Sequence, residues 1–426
     1  MEFPRMPAPS IAEASRPGRA TPRILMYSHD TYGLGHIRRT RAIANALVGA
    51  HDDLSVLIIC GSALAGSFNF APGIDFVHVP SVAKSEDGEY ASANLRLSLP
   101  QVTTIREALI RQTAEAFRPD IFIADKEPAG FRGELLPTLK LMGHMGTRRV
   151  VGIRDVLDGP EAIRTEWHDK GAIRALTEHY DDVLVYGLEE FYRPLDGIPL
   201  PAELRSRLVY TGYLRRSVPG GLATMRYPRA TKGPFILVTT GGGADGAGLI
   251  DWVISAYEAD PYIPLPAVVA FGPFLSNTQR GHFLERIDRL AKVDAIVFDP
   301  KIERLMSRAS AVVAMGGYNT FCEILSFDKP GLLVPRSRPR LEQTIRAARA
   351  AELGLMRMLE DPMEHGGTSR DPLQMAEALT ALCDQPSPSS VQMPGLLDGL
   401  GRITRHLEPH IRKPERDSEP ALGIGI

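Results

Sequence analysis

Met315-Gly316-Gly317-Tyr318-Asn319-Thr320-Phe321-Cys322-Glu323, directly after the apolar run Ala311–Ala314, is the stretch on which the reading of this chain turns. The apolar run reads as a buried strand. Two glycines then let the backbone turn tightly, and a helical pattern opens behind them. A strand that passes into a helix through a glycine turn leaves free backbone N–H groups at the helix start, where anionic or polar ligands bind. The same order recurs near the start of the chain. Ile24–Tyr27 leads into Asp30-Thr31-Tyr32-Gly33-Leu34-Gly35-His36-Ile37-Arg38-Arg39. Two such loops in separate halves point to one ligand held between two lobes.

Around both loops short apolar runs alternate with helical patterns, the signature of parallel sheets covered by helices. In the first half strands are expected at 24–27, 56–60, 76–79, 121–124, 150–153, 183–186 and 208–211. Helices are expected at 37–48, 101–117, 134–142 and 172–179. Ser217 to Pro234 holds three prolines and three glycines without an apolar period, which marks a linker. The second half repeats the alternation, with strands at 235–239, 267–271, 295–298, 311–314 and 332–334. Its helices fall at 248–257, 302–308, 320–327, 341–353 and 373–382, and an amphipathic segment at 395–406 follows. The expected fold is therefore α/β, two facing Rossmann-like domains, each a parallel sheet covered by helices. The expected division is a disordered tail at 1–20, a first domain at 21–216, a linker at 217–234 and a second domain at 235–385. A C-terminal helical segment at 386–411 and a second disordered tail at 412–426 complete it.

Bulk properties remove several classes of function. At 426 residues the chain can bury two cores of ordinary size. Forty-nine basic residues against 51 acidic ones create no global field for nucleic acid or an anionic membrane. Three scattered cysteines, Cys60, Cys322 and Cys383, suit neither a disulfide framework nor a zinc site and fit a reducing compartment. No stretch reaches the roughly 18 uninterrupted apolar residues of a membrane span. The N-terminal tail, rich in Pro, Ala and Arg, has no apolar core of a signal peptide. A cytoplasmic protein is expected, with peripheral membrane contact left open.

Each loop has a chemical and a structural reading. In the first, Gly33 and Gly35 remove side chains where the backbone must turn and approach a ligand. On the helix behind them Arg38, Arg41 and Asn45 share one stripe, while Arg39 lies in the row of Ile43 and Leu47. A charge on that apolar row needs a partner, either a buried carboxylate or a ligand. His36 stands at the helix entrance, where the positive end of the helix dipole lowers an imidazole pKa. A neutral imidazole can accept a proton, so His36 is a candidate general base, the alternative being a loop cap. Asp30 and Asp125, each just past a first-domain strand, are the reserve candidates.

In the second loop Thr320-x-x-Glu323 fits a capping box, which by itself is the favoured reading. The competing one has Glu323 accepting hydrogen bonds from two adjacent ligand hydroxyls. Gly241-Gly242-Gly243 forms a third glycine turn after strand 235–239. Arg336, Arg338, Arg340, Glu342 and Gln343 follow strand 332–334, at the end where parallel sheets bind ligands. No two aspartates are spaced D-x-D, so the usual carboxylate pair that holds a divalent metal against a diphosphate is missing. A metal-free site would neutralise a diphosphate with helix N-termini and basic residues. There is no P-loop, and Arg38 stands where a dinucleotide-binding loop would have its third glycine.

Together these strings resemble the GT-B glycosyltransferases, most closely the MurG-like, family 28 group and its bacterial relatives. Gly33-Leu34-Gly35-His36-Ile37-Arg38-Arg39 is similar to the G-x-G-H-x-x-R loop of such enzymes. The more specific likeness is Gly316 to Glu323 followed by Lys329-Pro330, Val334-Pro335, Glu342-Gln343 and Ala347, which resembles their donor-binding segment. The resemblance implies a nucleotide-sugar donor, by likeness a UDP-sugar, held mainly by the C-terminal domain. It gives Glu323 the donor ribose, over the capping box, and Gln343 the sugar. Gly241, Gly242, Gly316, Gly317, Asn319, Thr320 and Arg336 join them as donor-side residues, and Gly33, Gly35 and Arg39 belong to the first loop. His36 takes the position of the base that deprotonates an acceptor hydroxyl, and the last helix crosses back to the first domain. No cofactor and no nucleic-acid partner are implied. The acceptor stays open among glycans, lipid-linked and small molecules. Hydrolysis of the nucleotide sugar or its 2-epimerisation on the same fold are the alternative activities.

Overall fold

The computed structural model describes residues 21–29, 35–62, 65–68, 70–84, 90–220, 227–242, 245–299 and 301–411. Asp30, Gly33, Gly243, part of the expected linker and both expected tails lie outside them.

The first sheet is built from β1 (Arg23–Ser28), β2 (Ser55–Cys60), β3 (Ile74–His78), β6 (Ile121–Asp125), β7 (Arg148–Arg154), β8 (Asp182–Tyr186) and β9 (Leu208–Tyr210). A small antiparallel pair, β4 (Val82–Lys84) and β5 (Tyr90–Ser92), sits between β3 and β6 in sequence. The second sheet contains β10 (Ile236–Thr239), β11 (Ala267–Ala270), β12 (Val293–Ile296), β13 (Ala311–Ala314), β14 (Gly331–Leu333) and β15 (Arg357–Met358). Every pairing in both large sheets is parallel.

Helices of the first half are α1 (Gly35–Ala50), α2 (Leu99–Phe117), α3 (Leu136–His144), α4 (Pro160–Asp169), α5 (Ala172–His179) and α6 (Ala202–Arg205). Those of the second are α7 (Ala247–Ala259), α8 (Asn277–Ile287), α9 (Glu303–Arg308), α10 (Tyr318–Ser326), α11 (Glu342–Glu352), α12 (Pro372–Leu382) and α13 (Gly399–Ile411).

Strand order decides where a ligand fits. The first sheet runs β3-β2-β1-β6-β7-β8-β9 and the second β12-β11-β10-β13-β14-β15. Each reverses direction of build-up at one place, between β1 and β6 and between β10 and β13. There the loops leaving adjacent strands diverge to opposite faces and open a crevice at their carboxyl ends. The helices α1 and α10 start at these two crevices, which face each other across the junction of the halves. The interface is packed with aromatic rings: Phe191 and Tyr213 from the first half lie 5.6 and 5.1 Å, centroid to centroid, from Phe321 of α10. After the second sheet the chain returns. Ile403, Leu407 and Ile411 of α13 are buried in the core that α1 also enters, and α13 packs on α1. At the crossing Gly212 has φ of 86°, and a Cβ there would stand 2.4 Å from the Gly395 carbonyl oxygen.

Several elements are absent from the sequence expectations: α4, α8, β15 and the β4–β5 pair. The expected box at Thr320 and Glu323 is also corrected. α10 begins one turn earlier, with Gly317 as its N-cap, so Thr320 lies inside the helix and caps nothing. A box of that kind does form at α2, where Ser98 N donates to Gln101 Oε1 at 3.0 Å.

Candidate functional site

The two crevices combine into one cavity of about 280 Å³. The first domain contributes Gly35, His36, Arg38, Arg39 and Arg154. Gly241, Gly242, Gly317, Asn319, Thr320, Glu323, Arg336 and Gln343 line it from the second domain. Gly316 and Asp125 sit one layer behind the wall.

On the first-domain side Asp125, the last residue of β6, organises three groups. His36 Nδ1 lies 2.5 Å from Asp125 Oδ2. Arg39 donates from Nε to Oδ1 at 2.7 Å and from Nη2 to Oδ2 at 2.6 Å. Arg39, on the apolar row of α1, thus has a buried carboxylate as its partner, which is the first of the two readings its position allowed. Charge attraction from Arg39 and His36 outweighs burial and holds the Asp125 carboxyl below its ordinary range. A carboxylate only accepts hydrogen bonds, so His36 donates from Nδ1 and leaves Nε2 with its lone pair. Burial lowers the His36 pKa to about 4, against the opposing pull of Asp125. The imidazole is therefore neutral at pH 7, and burial supplies the cause that the sequence reading sought in the helix dipole. Just beyond Asp125, Lys126 holds φ of 73°, a conformation that costs a non-glycine residue energy and clusters at functional sites.

The second-domain side is a helix N-terminus framed by glycines. Gly316 takes φ of 85°, which only glycine adopts without strain, and its carbonyl accepts from Arg346 Nη1 at 2.9 Å. The first intrahelical bond of α10 runs from Phe321 N to Gly317 O, so the N–H groups of Tyr318, Asn319 and Thr320 precede it. Glu323, one turn in, is almost fully buried and receives Arg38 Nη2 from the opposite domain at 2.5 Å. The same Nη2 reaches Glu303 Oε1 at 2.8 Å. Burial pushes the Glu323 pKa up to about 6; Arg38 opposes the rise and the nearby Glu303 charge adds to it.

Some expected donor-side residues already have protein partners. Asn319 spans the domains, donating to Gly35 O at 3.0 Å and accepting from Arg216 Nη2 at 2.7 Å. Arg336 is ion-paired with Asp245 and donates to Arg338 O at 2.7 Å. Arg340 reaches across to Glu166 at 2.9 Å. The arginine segment is thus largely neutralised by carboxylates of this chain. Gln343 is buried and its Oε1 faces Arg336 N at 3.4 Å. Residues missed as site members in the sequence include Arg154, Phe274, Phe298 and Asp299, which line the cavity, and Glu303, which fixes Arg38. Their signal was weak: each ends or follows a strand or opens a helix, and apart from Phe274, two residues after Gly272, none sits beside a glycine turn.

This architecture, two parallel-sheet domains with a ligand cleft between their switch points, is the GT-B fold. Residues 235–382 match the glycosyltransferase family 28 C-terminal domain, so the second domain is of that type. A curated relative that matches is a UDP-N-acetylglucosamine–N-acetylmuramyl-(pentapeptide) pyrophosphoryl-undecaprenol N-acetylglucosamine transferase of Methylobacterium nodulans. It is 30% identical over 162 residues, 36% of this chain and 42% of that protein, so the match spans less than half of the relative. Among solved structures the calicheamicin glycosyltransferase CalG4 superposes with a TM-score of 0.58 at 16% identity, over 92% of this chain and 99% of that one. MurG of Acinetobacter baumannii gives 0.52 at 13% identity, over 92% and 99%. No helix among the described residues is long and apolar enough to cross a membrane.

Proposed function

We propose that this protein is a glycosyltransferase that moves a sugar from a nucleotide-diphosphate donor, by family likeness a UDP-sugar, to an acceptor hydroxyl. The observation that carries this reading is a neutral imidazole, its Nδ1–H fixed by Asp125, facing a glycine-framed helix N-terminus across one cavity. The donor diphosphate lies against the Gly316–Gly317 turn and the first N–H groups of α10, with Glu323 accepting from the ribose hydroxyls once Arg38 yields it. Gln343 contacts the sugar. His36 Nε2 removes the proton of the acceptor hydroxyl as its oxygen attacks the anomeric carbon. The bond from that carbon to the diphosphate oxygen breaks, and its electron pair leaves with the nucleoside diphosphate. A single displacement inverts configuration. The missing D-x-D pair supports a metal-independent reaction, in which the helix N-terminus supplies the positive charge.

Cytoplasmic placement with peripheral membrane contact is part of the same reading. Leu95 and Leu97, ahead of α2, and Ile105 and Leu109, one turn apart on it, are exposed and offer an apolar surface for that contact. Co-flotation with vesicles, lost in a Leu97→Asp/Ile105→Asp variant, checks it.

The activity is tested by incubating the protein with UDP-, GDP-, ADP- and dTDP-sugars, with and without acceptor extracts. Turnover that requires acceptor and survives chelator is expected. Free sugar without acceptor would show a hydrolase, and an isomeric UDP-sugar would show a 2-epimerase. Activity lost in chelator and restored by Mn²⁺ or Mg²⁺ would overturn the metal-free diphosphate site.

A further inference from the structure

A second and larger cavity, of about 550 Å³, lies beside the cleft. Its walls are the stripe of α1 that carries Arg38, Arg41 and Asn45, the segment around Phe68 and Phe70, the chain leaving β9 at 215–220, and Lys301 with Glu303 from the second domain. Among the described residues only Arg38 and Phe68 line both cavities.

Its charge is one-sided. Five cationic side chains, Arg38, Arg41, Arg215, Arg216 and Lys301, line it against the single carboxylate of Glu303. That carboxylate is already used: Oε1 holds Arg38, and Oε2, buried, has no hydrogen-bond partner among the described residues. No carboxylate among the described residues lies within ion-pair distance of Arg41, Arg215 or Lys301. Arg216 spends Nη1 on Arg38 O and Nη2 on Asn319, while its Nε is buried without a partner, as is Asn45 Oδ1. Arg41 lies over the Phe68 ring at 4.7 Å, and burial disfavours its charge, with the Glu303 charge opposing and Arg38 and Arg216 adding.

A chain of net charge −2 has carboxylates to spare, so this local excess is not a by-product of composition. Guanidinium groups gathered around a cavity repel one another unless an anion joins them, and their forked donors match phosphate oxygens. Apart from Asn45 and Ser217, the rest of the described wall is apolar, with Ala42, Ala46, Phe70 and Leu400 facing the same space. The volume falls within the range of small-molecule sites. We propose that this rear cavity is a second binding site, for a ligand that joins a phosphate group to an apolar or planar part. A nucleotide and a prenyl phosphate share that chemistry. The assignment does not depend on which reaction the front cleft performs.

Calorimetric titration of the full chain with UDP and, separately, with geranyl monophosphate tests the proposal. Three variants are compared with the wild type: Arg41→Glu, Arg215→Glu/Lys301→Glu, and Thr320→Glu, which sets a carboxylate at the helix N-terminus of the front cleft. Arg215 is exposed and Lys301 partly so, which keeps the test open if Arg41→Glu fails to fold. For at least one ligand the structure predicts a binding event that the rear charge reversals weaken at least ~10-fold and that Thr320→Glu leaves unchanged. UDP showing it as a second equivalent identifies a nucleotide as the occupant, and geranyl monophosphate showing it identifies a prenyl phosphate. The event should also weaken with added salt. The proposal is overturned if no event responds to the rear reversals, or if every event that responds is weakened equally by Thr320→Glu, which would place the ligand in the front cleft.

Discussion

Asp125 meets His36 and Arg39 at once, and that arrangement sets the chemistry of the cleft. Arg39 keeps the carboxylate charged, the carboxylate fixes the imidazole tautomer, and burial keeps the imidazole neutral. His36→Ala should lower kcat by about 10²–10⁴ with donor affinity little changed, because the donor contacts lie on the opposite domain. Only the neutral imidazole accepts a proton, so kcat/KM should hold above the His36 pKa and fall as pH drops through it. With that pKa lowered to about 4, the acid limb lies below the ordinary histidine value of 6.5 and should vanish in His36→Ala. Asp125→Asn can present the wrong tautomer and strands the buried Arg39 charge, so it should lose both activity and thermal stability. A full-activity Asp125→Asn protein would show that the contact is not used. Asp125 thus becomes an orienting group in this account, not the reserve base.

At the level of elements, the sequence was most informative where local pattern and tertiary burial agree. The apolar runs of β1, β2, β6, β7, β8, β10, β11 and β13 are buried on both faces, and such strands read as continuous hydrophobic stretches. Helices α4 and α8 were not legible. α4 buries only Ile163 and Trp167, and α8 only Phe283 and Ile287, too few to set a visible period. β15 has two residues and exists through its pairing with β14. The Thr320 cap failed because Gly317 opens the helix first, and the partner of Glu323, Arg38, comes from 285 residues away in sequence, beyond any local pattern. Candidate site residues in glycine turns were visible; those recruited by the meeting of two domains were not. One glycine outside any turn also shapes the site. A Cβ on Gly152 of β7 would stand 1.8 Å from Tyr186 Oη, whose ring lies 6.0 Å from the Arg39 guanidinium. Gly152→Ala should therefore destabilise the protein by about 1–3 kcal/mol, read as a lowered Tm or denaturation midpoint. An unchanged midpoint would show that Tyr186 moves freely.

Across the whole molecule the two halves are joined by buried polar contacts as well as by aromatic packing. Arg346 of α11 donates to Asp155 from Nε at 2.8 Å and from Nη2 at 2.7 Å, and both side chains are fully buried. Tyr213 Oη donates to the same carboxylate at 2.8 Å, and Arg346 also holds the Gly316 carbonyl. Removing one partner leaves an uncompensated buried charge, so Asp155→Ala should cost about 3–5 kcal/mol in chemical denaturation. Because Arg346 anchors the Gly316 turn, nucleotide affinity should fall with it. The Arg38–Glu323 pair joins the two sides of the cleft, and the central claim has a direct test: calorimetric titration of UDP-sugars into the wild type, Glu323→Ala and His36→Ala. The account predicts that one UDP-sugar binds the wild type and His36→Ala alike, and that Glu323→Ala weakens it by about 1.5–3 kcal/mol, the scale of hydrogen bonds to a charged group. Equal affinity in folded Glu323→Ala, or no nucleotide-sugar binding by the wild type, would contradict it.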